Sequence, residues 1–206
     1  MSRLQGTFER LRARGERALI AYFTAGDPSL ALTGKLVAEA ARQGADIIEL
    51  GIPFSDPLAD GPVIQRATQR ALQAGVTLPR VLELVRELRG EVSVPLVFLT
   101  YYNPVFAFGL KAFCQTAVEA GVDGVIVADL PPDLLQHLRA LRGITTKPVC
   151  VGFGIGNPEQ AAVVGRFADG VIVGSAIVRV VEEHAGSPAL IPEVGRFIAA
   201  LKAPLR

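Results

Sequence analysis

Three carboxylates lie close together around one short apolar run. Glu49 is part of the run IIELG, and Asp56 and Asp60 follow in the loop that leads to Pro62. Successive side chains of a strand point to opposite faces, so Glu49 should share its face with Ile47. If its neighbours Ile48 and Leu50 pack on helices, Glu49 points into the mouth of a barrel. Burial without a neighbouring cation raises the pKa of a carboxyl group toward neutrality, as general acid–base catalysis requires. The alternative for an isolated glutamate at a strand end is a solvated or salt-bridged side chain.

The loop after Glu49 is far longer than the few residues that usually join a strand to a helix. Asp56 precedes Pro57 and Asp60 precedes Gly61, and aspartate before proline or glycine is common in turns. Turn formation therefore explains either aspartate taken alone. Long ordered loops at a catalytic face are usually functional, so the whole loop is predicted to be part of a site.

Two glycine-containing loops follow later apolar runs and precede helical segments. They are Gly152–Ile155, which contains Phe153 and Gly154, and Gly174–Ala176, which contains Ser175. Glycine lets backbone N–H groups approach an anion, and a helix N-terminus adds a favourable dipole. A turn is the alternative for either loop alone, but the pair predicts a phosphate site at the carboxyl ends of neighbouring strands.

Polar groups end two further apolar runs. Asp129 closes GVIVAD, where it would either shape the loop or contact a ligand. Tyr101–Pro104 follow the run LVFLT, and their aromatic bodies with polar tips suit an aromatic ligand or a partner protein. Packing in the core is the alternative for these aromatic residues.

The elements that must position these residues recur along the chain. A helical, Ala-rich segment ends at a small residue plus Asp, and a Val/Ile-rich run follows, as in AARQGADIIELG, AVEAGVDGVIVADLP and GRFADGVIVGS. This alternation without a long linker predicts an α/β protein, a TIM-type (β/α) barrel that forms a single domain over residues 1–206. The predicted strands are Ala18–Phe23, Ile47–Gly51, Leu96–Thr100, Gly124–Ala128, Val149–Gly152 and Gly170–Val173. The predicted helices are Leu4–Arg14, Leu30–Gln43, Val63–Ala74, Leu78–Leu88, Leu110–Ala120, Leu134–Leu141, Pro158–Arg166 and Pro192–Leu201.

Composition excludes several classes of function. The chain has 206 residues with a net charge of +1, and 50% of them are hydrophobic. No strong field would attract nucleic acid or an anionic membrane surface, and no run is long enough to span a bilayer. Cys114 and Cys150 have no CxxC spacing, so we expect no metal site but reduced, buried thiols in a cytoplasmic protein.

Six segments in order resemble the tryptophan synthase alpha subunit family. They are YFTAGDP (22–28), IELGIPFSDPLADGPVIQRA (48–67), TYYNPVFAFG (100–109), VADLP (127–131), VGFGI (151–155) and VIVGSAIV (171–178). The second segment is long and highly specific. The resemblance covers nearly the whole chain apart from one interruption.

The resemblance implies a retro-aldol cleavage of indole-3-glycerol phosphate to indole and glyceraldehyde 3-phosphate, in tryptophan biosynthesis. Glu49 would be the catalytic acid–base that protonates indole C3, and Asp60 would accept a hydrogen bond from the indole N–H. The substrate-binding residues would be Tyr22, Ile64, Tyr101, Asp129, Phe153, Gly154, Gly174 and Ser175. The chain itself would need no cofactor, because pyridoxal phosphate belongs to the beta subunit with which the family forms an alpha2-beta2 type complex. Asp56, Pro57 and the turn at Asn103-Pro104 would lie at that interface.

The chain departs from the family between Asp129 and Val149. Six strands are predicted where a TIM barrel has its usual eight, and this interval has room for one helix only. The fifth and sixth strand–helix units are missing, an apparent internal deletion near 133–143. They would supply the loop that closes over the substrate and part of the phosphate site. A catalytically silent barrel that keeps the fold or partner binding is therefore the alternative to an active lyase, and another phosphate-binding barrel lyase or isomerase is a third hypothesis.

Overall fold

Six parallel strands form one sheet in a computed structural model that describes residues 2–129, 150–151, 155–166 and 168–206. The strands are β1 (Ala18–Thr24), β2 (Ile47–Gly51), β3 (Leu96–Thr100), β4 (Gly124–Val127), β5 (Cys150–Val151) and β6 (Gly170–Val173). Within the described residues their order is β4-β3-β2-β1-β6-β5, so that β4 and β5 lie at the two ends. Each pair of neighbouring strands is parallel, which is the arrangement that the alternating pattern predicts.

One helix precedes the first strand, and helices that follow the strands cover one face of the sheet. They are α1 (Arg3–Ala13), α2 (Leu30–Arg42), α3 (Pro62–Gln73), α4 (Leu78–Leu88), α5 (Tyr102–Phe108), α6 (Leu110–Ala120), α7 (Pro158–Gly165), α8 (Ser175–His184) and α9 (Leu190–Lys202), with a short 3-10 helix at Ala203–Leu205. Side chains cap several of them: Ser29 accepts a hydrogen bond from the Leu32 N–H and Asn157 from the Gln160 N–H. In the described part of the chain, no helix combines the length and the apolar character that crossing a bilayer requires.

The strands present two different faces. Alternate residues such as Leu19, Phe23, Ile48 and Leu50 are fully or almost fully buried in the main core with the helices. The other face carries a smaller apolar cluster of Ile20, Ile47 and Val97, packed against Leu4 and Phe8 of α1. Because this cluster fills the amino-terminal end of the inner face, the open space of the interior lies toward the carboxyl ends of the strands.

Most predicted elements agree with the structure to within one or two residues. One helix, α5, was not predicted, and α8 is the helical segment expected after Gly174–Ala176, for which no bounds were predicted. The Asn103-Pro104 pair was predicted as a turn and lies instead in the first turn of α5. Both cysteines were expected to be buried, but Cys114 is exposed on α6 and Cys150 is only partly buried. The predicted helix Leu134–Leu141 and the expected deletion near 133–143 lie outside the described residues.

Candidate active site

A cavity of about 810 Å³ opens at the carboxyl ends of the strands. Its wall combines side chains from all six strands or the loops that follow them with the first turns of α3 and α8. The described lining residues are Tyr22, Glu49, Ala59, Asp60, Gly61, Ile64, Leu99, Ile126, Cys150, Ile155, Gly156, Ile172, Gly174, Ser175, Ala176 and Arg179. A concave, mostly apolar space with a few converging polar groups is typical of a small-molecule site.

Glu49 lies in the wall of this cavity on the inner face of β2. Its neighbours Ile48 and Leu50 pack in the main core on the other face, as the strand alternation predicts. The side chain is only 6% exposed, and burial raises the pKa of the Glu49 carboxyl to about 7. Glu49 can therefore hold or release a proton near neutral pH, as a general acid–base group must.

Asp60 enters the cavity from the long loop between β2 and α3. Burial raises the pKa of its carboxyl group, and a hydrogen bond from the Tyr101 hydroxyl opposes that rise. The same hydroxyl oxygen accepts a hydrogen bond of 3.1 Å from the Ala59 backbone N–H. Tyr101 therefore fastens the loop that carries Asp60, and its ring packs on Phe54 with 5.3 Å between ring centroids.

Tyr22 and Ile64 form the apolar side of the cavity. Tyr22 is buried with Ala67 and Val178, and Ile64 packs against this cluster. The Tyr22 hydroxyl makes a 3.3 Å hydrogen bond with the Thr24 hydroxyl. Gly51 leaves the room that the phenol occupies, because a Cβ there would lie 2.1 Å from the Tyr22 hydroxyl oxygen. In the sequence, a glycine at the end of a buried strand was the available signal that a side chain of a neighbouring strand comes this close.

At the start of α8 the cavity wall consists of backbone and one cation. Gly174, Ser175 and Ala176 form the start of α8, and Arg179 lies one turn later in the same helix. Unpaired N–H groups at a helix start attract anions, and among the described lining residues Arg179 is the one with a positive charge. Sequence reasoning missed Arg179. A basic residue four positions after a predicted phosphate-binding serine was the available signal, since such residues share a helix face.

The structure brings together six of the predicted catalytic and substrate-binding residues in this cavity: Tyr22, Glu49, Asp60, Ile64, Gly174 and Ser175. Tyr101 and Asp129 are not among its described lining residues. Tyr101 fastens the Asp60 loop, and the Asp129 carboxylate accepts a hydrogen bond from the Tyr102 N–H at the start of α5. For Asp129 the structure thus favours the alternative of shaping a loop. Phe153 and Gly154 lie outside the described residues.

The residues predicted at a partner interface lie beside this cavity. Asp56 and Pro57 line a shallower depression of about 490 Å³ between the Asp60 loop and α3. Leu58, at its rim, is 90% exposed. Asn103 is exposed and Pro104 partly buried in α5.

The described wall of the cavity presents few groups with metal-binding or nucleophilic character. Among the described residues, no group of three or more His, Cys, Asp or Glu side chains is arranged to bind one. Cys150 lies in the cavity wall, and burial raises the pKa of its thiol to about 11. A thiol in that state is a poor nucleophile, so Glu49 and Asp60 are the groups of this cavity suited to chemistry.

Comparison with known proteins identifies the family. A model of the family described as "Tryptophan synthase alpha chain" matches residues 8–138 and 132–191. The tryptophan synthase alpha chain of Citrifermentans bemidjiense is 41% identical over 260 aligned positions, which cover 98% of this chain and 97% of the relative. The chain belongs to the tryptophan synthase alpha chain family.

Solved structures of the tryptophan synthase alpha chain family share the fold. The alpha subunit from Legionella pneumophila superposes with a TM-score of 0.90 at 34% identity, covering 100% of this chain and 98% of that one. A chain of tryptophan synthase from Mycobacterium tuberculosis, in an aminoacrylate-bound form, gives 0.89 at 31% identity and covers 100% of both chains. The family and the TIM-type barrel predicted from the sequence motifs are confirmed, and membership supports a lyase activity in tryptophan biosynthesis.

Proposed function

We propose that the chain cleaves indole-3-glycerol phosphate to indole and glyceraldehyde 3-phosphate, with Glu49 and Asp60 as its catalytic residues. The observation that carries the proposal is the buried Glu49 carboxyl, whose pKa is raised to about 7, facing a cavity that Asp60 also lines. Breaking a carbon–carbon bond to an indole ring requires a proton at ring C3 and stabilisation of the positive charge that develops at nitrogen. Two carboxyl groups with different surroundings can divide these tasks.

The proposed reaction balances its protons through one group. The protonated Glu49 carboxyl donates a proton to indole C3, and Asp60 accepts a hydrogen bond from the ring N–H. The bond between C3 and the side chain then breaks and its electrons return to the ring. The side-chain hydroxyl loses a proton as the aldehyde forms. One proton is gained and one lost, so a single group that titrates near neutrality can serve both steps.

The phosphate group is proposed to bind at the start of α8. The backbone N–H groups of Gly174 and Ser175 provide donors, and the dipole of a ten-residue helix favours an anion there. Arg179 adds a positive charge to a cavity that already contains two carboxyl groups. Phe153 and Gly154 remain proposed members of the same site by resemblance. Tyr22 and Ile64 are proposed to contact the indole ring.

A pyridoxal-phosphate-dependent beta subunit is the proposed partner, in an alpha2-beta2 type complex. The loop with Asp56 and Pro57 and the start of α5 with Asn103 and Pro104 are the proposed contacts. The exposure of Leu58, which lines the same depression as Asp56 and Pro57, supports a contact by this loop. The chain itself requires no cofactor in this proposal. We further propose a cytoplasmic location, which the free state of Cys114 and Cys150 supports.

The chain is also proposed to be one barrel domain that lacks two strand–helix units near 133–143. The alignment with the Citrifermentans bemidjiense relative runs over 260 positions, more than the 206 residues of this chain. The two matches to the family model overlap at residues 132–138 of this chain. Both facts support an interval in which relatives have residues that this chain lacks.

Steady-state cleavage of indole-3-glycerol phosphate by the full chain, with and without a beta subunit, tests the proposed function. We expect indole release that depends on Glu49 and increases when the beta subunit is added. The Glu49→Gln variant supplies the background rate. No indole above that background in either condition would favour the catalytically silent barrel.

A further inference from the structure

An ion-pair network joins three segments that bound the cavity. The Arg70 guanidinium donates two hydrogen bonds to Asp27, at 2.8 and 2.9 Å, and a third to Glu182 at 2.9 Å. The Arg66 guanidinium donates to both carboxylate oxygens of Glu182, at 2.9 and 2.8 Å. These four residues are called the clamp below. None of them lines the cavity in the described structure.

Each part of the clamp belongs to an element that carries a group of the site. Arg66 and Arg70 lie one turn apart on α3, which begins just after Asp60 and Gly61. Glu182 lies in α8, whose first turn holds Gly174 and Ser175 at its start. Asp27 follows β1, the strand of Tyr22. The clamp therefore connects α3, which follows the Asp60 loop, to α8, whose start is the proposed phosphate site.

The ion pairs of the clamp are suited to fixing the relative positions of the elements that they join. The Asp27 side chain is only 3% exposed, and bidentate guanidinium–carboxylate pairs fix orientation as well as distance. The hydrogen bonds from Arg66 and Arg70 hold the pKa of the Glu182 carboxyl at about 2. Glu182 therefore stays ionised at every pH at which the enzyme would work, and the clamp has no protonated, released state in that range.

We propose that the clamp sets the distance between Asp60 and the first turn of α8, which makes Glu182 a positioning residue for ligands that contact both. This inference rests on the proposed function, in which the indole of the substrate contacts Asp60 and its phosphate binds at the start of α8. The Kd of a ligand that contacts only one of these two groups should not depend on the clamp. The Kd of a ligand of fixed length that contacts both should rise when α3 and α8 shift relative to each other.

The simpler explanation is an ordinary surface ion pair that adds a little stability and nothing more. Exposed pairs commonly contribute little, and Arg66 is about half exposed in its pair with Glu182. The two explanations differ in one measurable respect. If the clamp only adds stability, its loss changes the melting temperature alone. If it positions the site, its loss raises the Kd of a long ligand more than the Kd of a short one.

The test compares two ligands on the full-length Glu182→Gln variant. Glutamine keeps the size of the side chain but loses the charge and one of the two acceptor oxygens that the arginines share. We expect the Kd of an unreactive indole joined through a three-carbon chain to a phosphate to rise about tenfold, and kcat for indole-3-glycerol phosphate to fall roughly 10- to 100-fold, since small misplacements are costly in catalysis. The Kd of inorganic phosphate should change less than twofold.

Two further variants make the result specific. Glu193→Gln removes the exposed pair with Arg196 on α9, and it should change neither Kd. Arg66→Lys keeps the charge but loses the bidentate geometry, and it should give a smaller rise than Glu182→Gln. A lower melting temperature with an unchanged Kd for the long ligand would overturn the proposal, as would an equal loss of phosphate binding. If the unchanged chain cleaves no substrate, the proposed function fails while the two Kd values still decide the clamp.

Discussion

Burial, rather than a neighbouring charge, raises the pKa of Glu49 to about 7, and this fixes the pH range in which it can act as an acid. Its first proposed task is to donate a proton, so the protonated form is the active one. We expect kcat/KM for indole-3-glycerol phosphate to fall as the pH rises through 7. Glu49→Gln should lower the rate by roughly 10²–10⁴-fold and abolish this pH dependence. Wild-type turnover in that variant would remove Glu49 from the mechanism.

The same pKa predicts a stability effect that is independent of activity. The folded protein binds a proton at Glu49 more tightly than the unfolded chain, in which the carboxyl has an ordinary pKa near 4.5. Stability is therefore lost as the pH rises from about 4.5 through 7. Because glutamine carries no charge to bury, Glu49→Gln should raise the free energy of unfolding at pH 8 by up to the order of 3 kcal/mol. Urea unfolding at pH 4.5 and pH 8 measures this; an equal difference between variant and wild type at both pH values would contradict it.

Residues differ in how far the sequence alone determines their role. The orientation of Glu49 follows from strand alternation and could be predicted from IIELG. The role of Tyr101 could not, because its hydroxyl meets Ala59 and Asp60 across 42 and 41 positions of sequence through a loop whose path is set by tertiary packing. Asp129 presented two equal alternatives, and its contact with the Tyr102 N–H depends on the unpredicted start of α5.

At the scale of elements, α8 carries the proposed anion site, and Gly174 at its start is the position to change. A Cβ at Gly174 would lie 3.7 Å from the nearest atoms of Tyr22, an ordinary contact distance, so the position has room for a small side chain. Gly174→Asp places a carboxylate beside the N–H groups that should meet the phosphate. We expect calorimetry to show binding of glycerol phosphate weakened at least tenfold.

Gly174→Ala is the matched control for that variant. It adds the same Cβ without the charge, and it should change glycerol phosphate binding by only a few fold. Equal losses in the two variants would mean that bulk rather than charge is responsible. Unchanged affinity in Gly174→Asp would place the phosphate elsewhere.

The helices α5 and α8 show where local sequence signals are weak. Proline and asparagine are typical of turns, but Pro104 lies in the first turn of α5, where its missing N–H costs nothing because the first four N–H groups of a helix have no partner in the helix. In α8, the β-branched residues Ile177, Val178, Val180 and Val181 favour a strand. Packing of three of them in the interior outweighs that local preference.

At the scale of the whole molecule, the two ends of the described sheet are the least protected part of the fold. β4 pairs with β3 on one side, and the described residues give it no partner on the other. Val125 and Ile126 of β4 are 40% and 43% exposed although they point to opposite faces. Strands of parallel sheets are normally buried on both faces, so an apolar strand end of this kind favours pairing with another chain.

We therefore expect the full chain either to close as a smaller barrel or to self-associate, with weak lyase activity in both cases. Closure with fewer strands requires a different tilt and stagger, because strand number and shear are linked. Self-association instead covers Val125 and Ile126 without changing the barrel. Size-exclusion chromatography with light scattering separates the two.

If the chain is a dimer, Val125→Lys should shift it toward the monomer, because the variant places a charge on the exposed strand. Val118→Lys is the matched control: Val118 lies on the exposed face of α6, at 74% exposure, and its substitution should not change the association state. A monomer as active as its full-length relatives would contradict the expectation and show that the remaining strands suffice for the complete site.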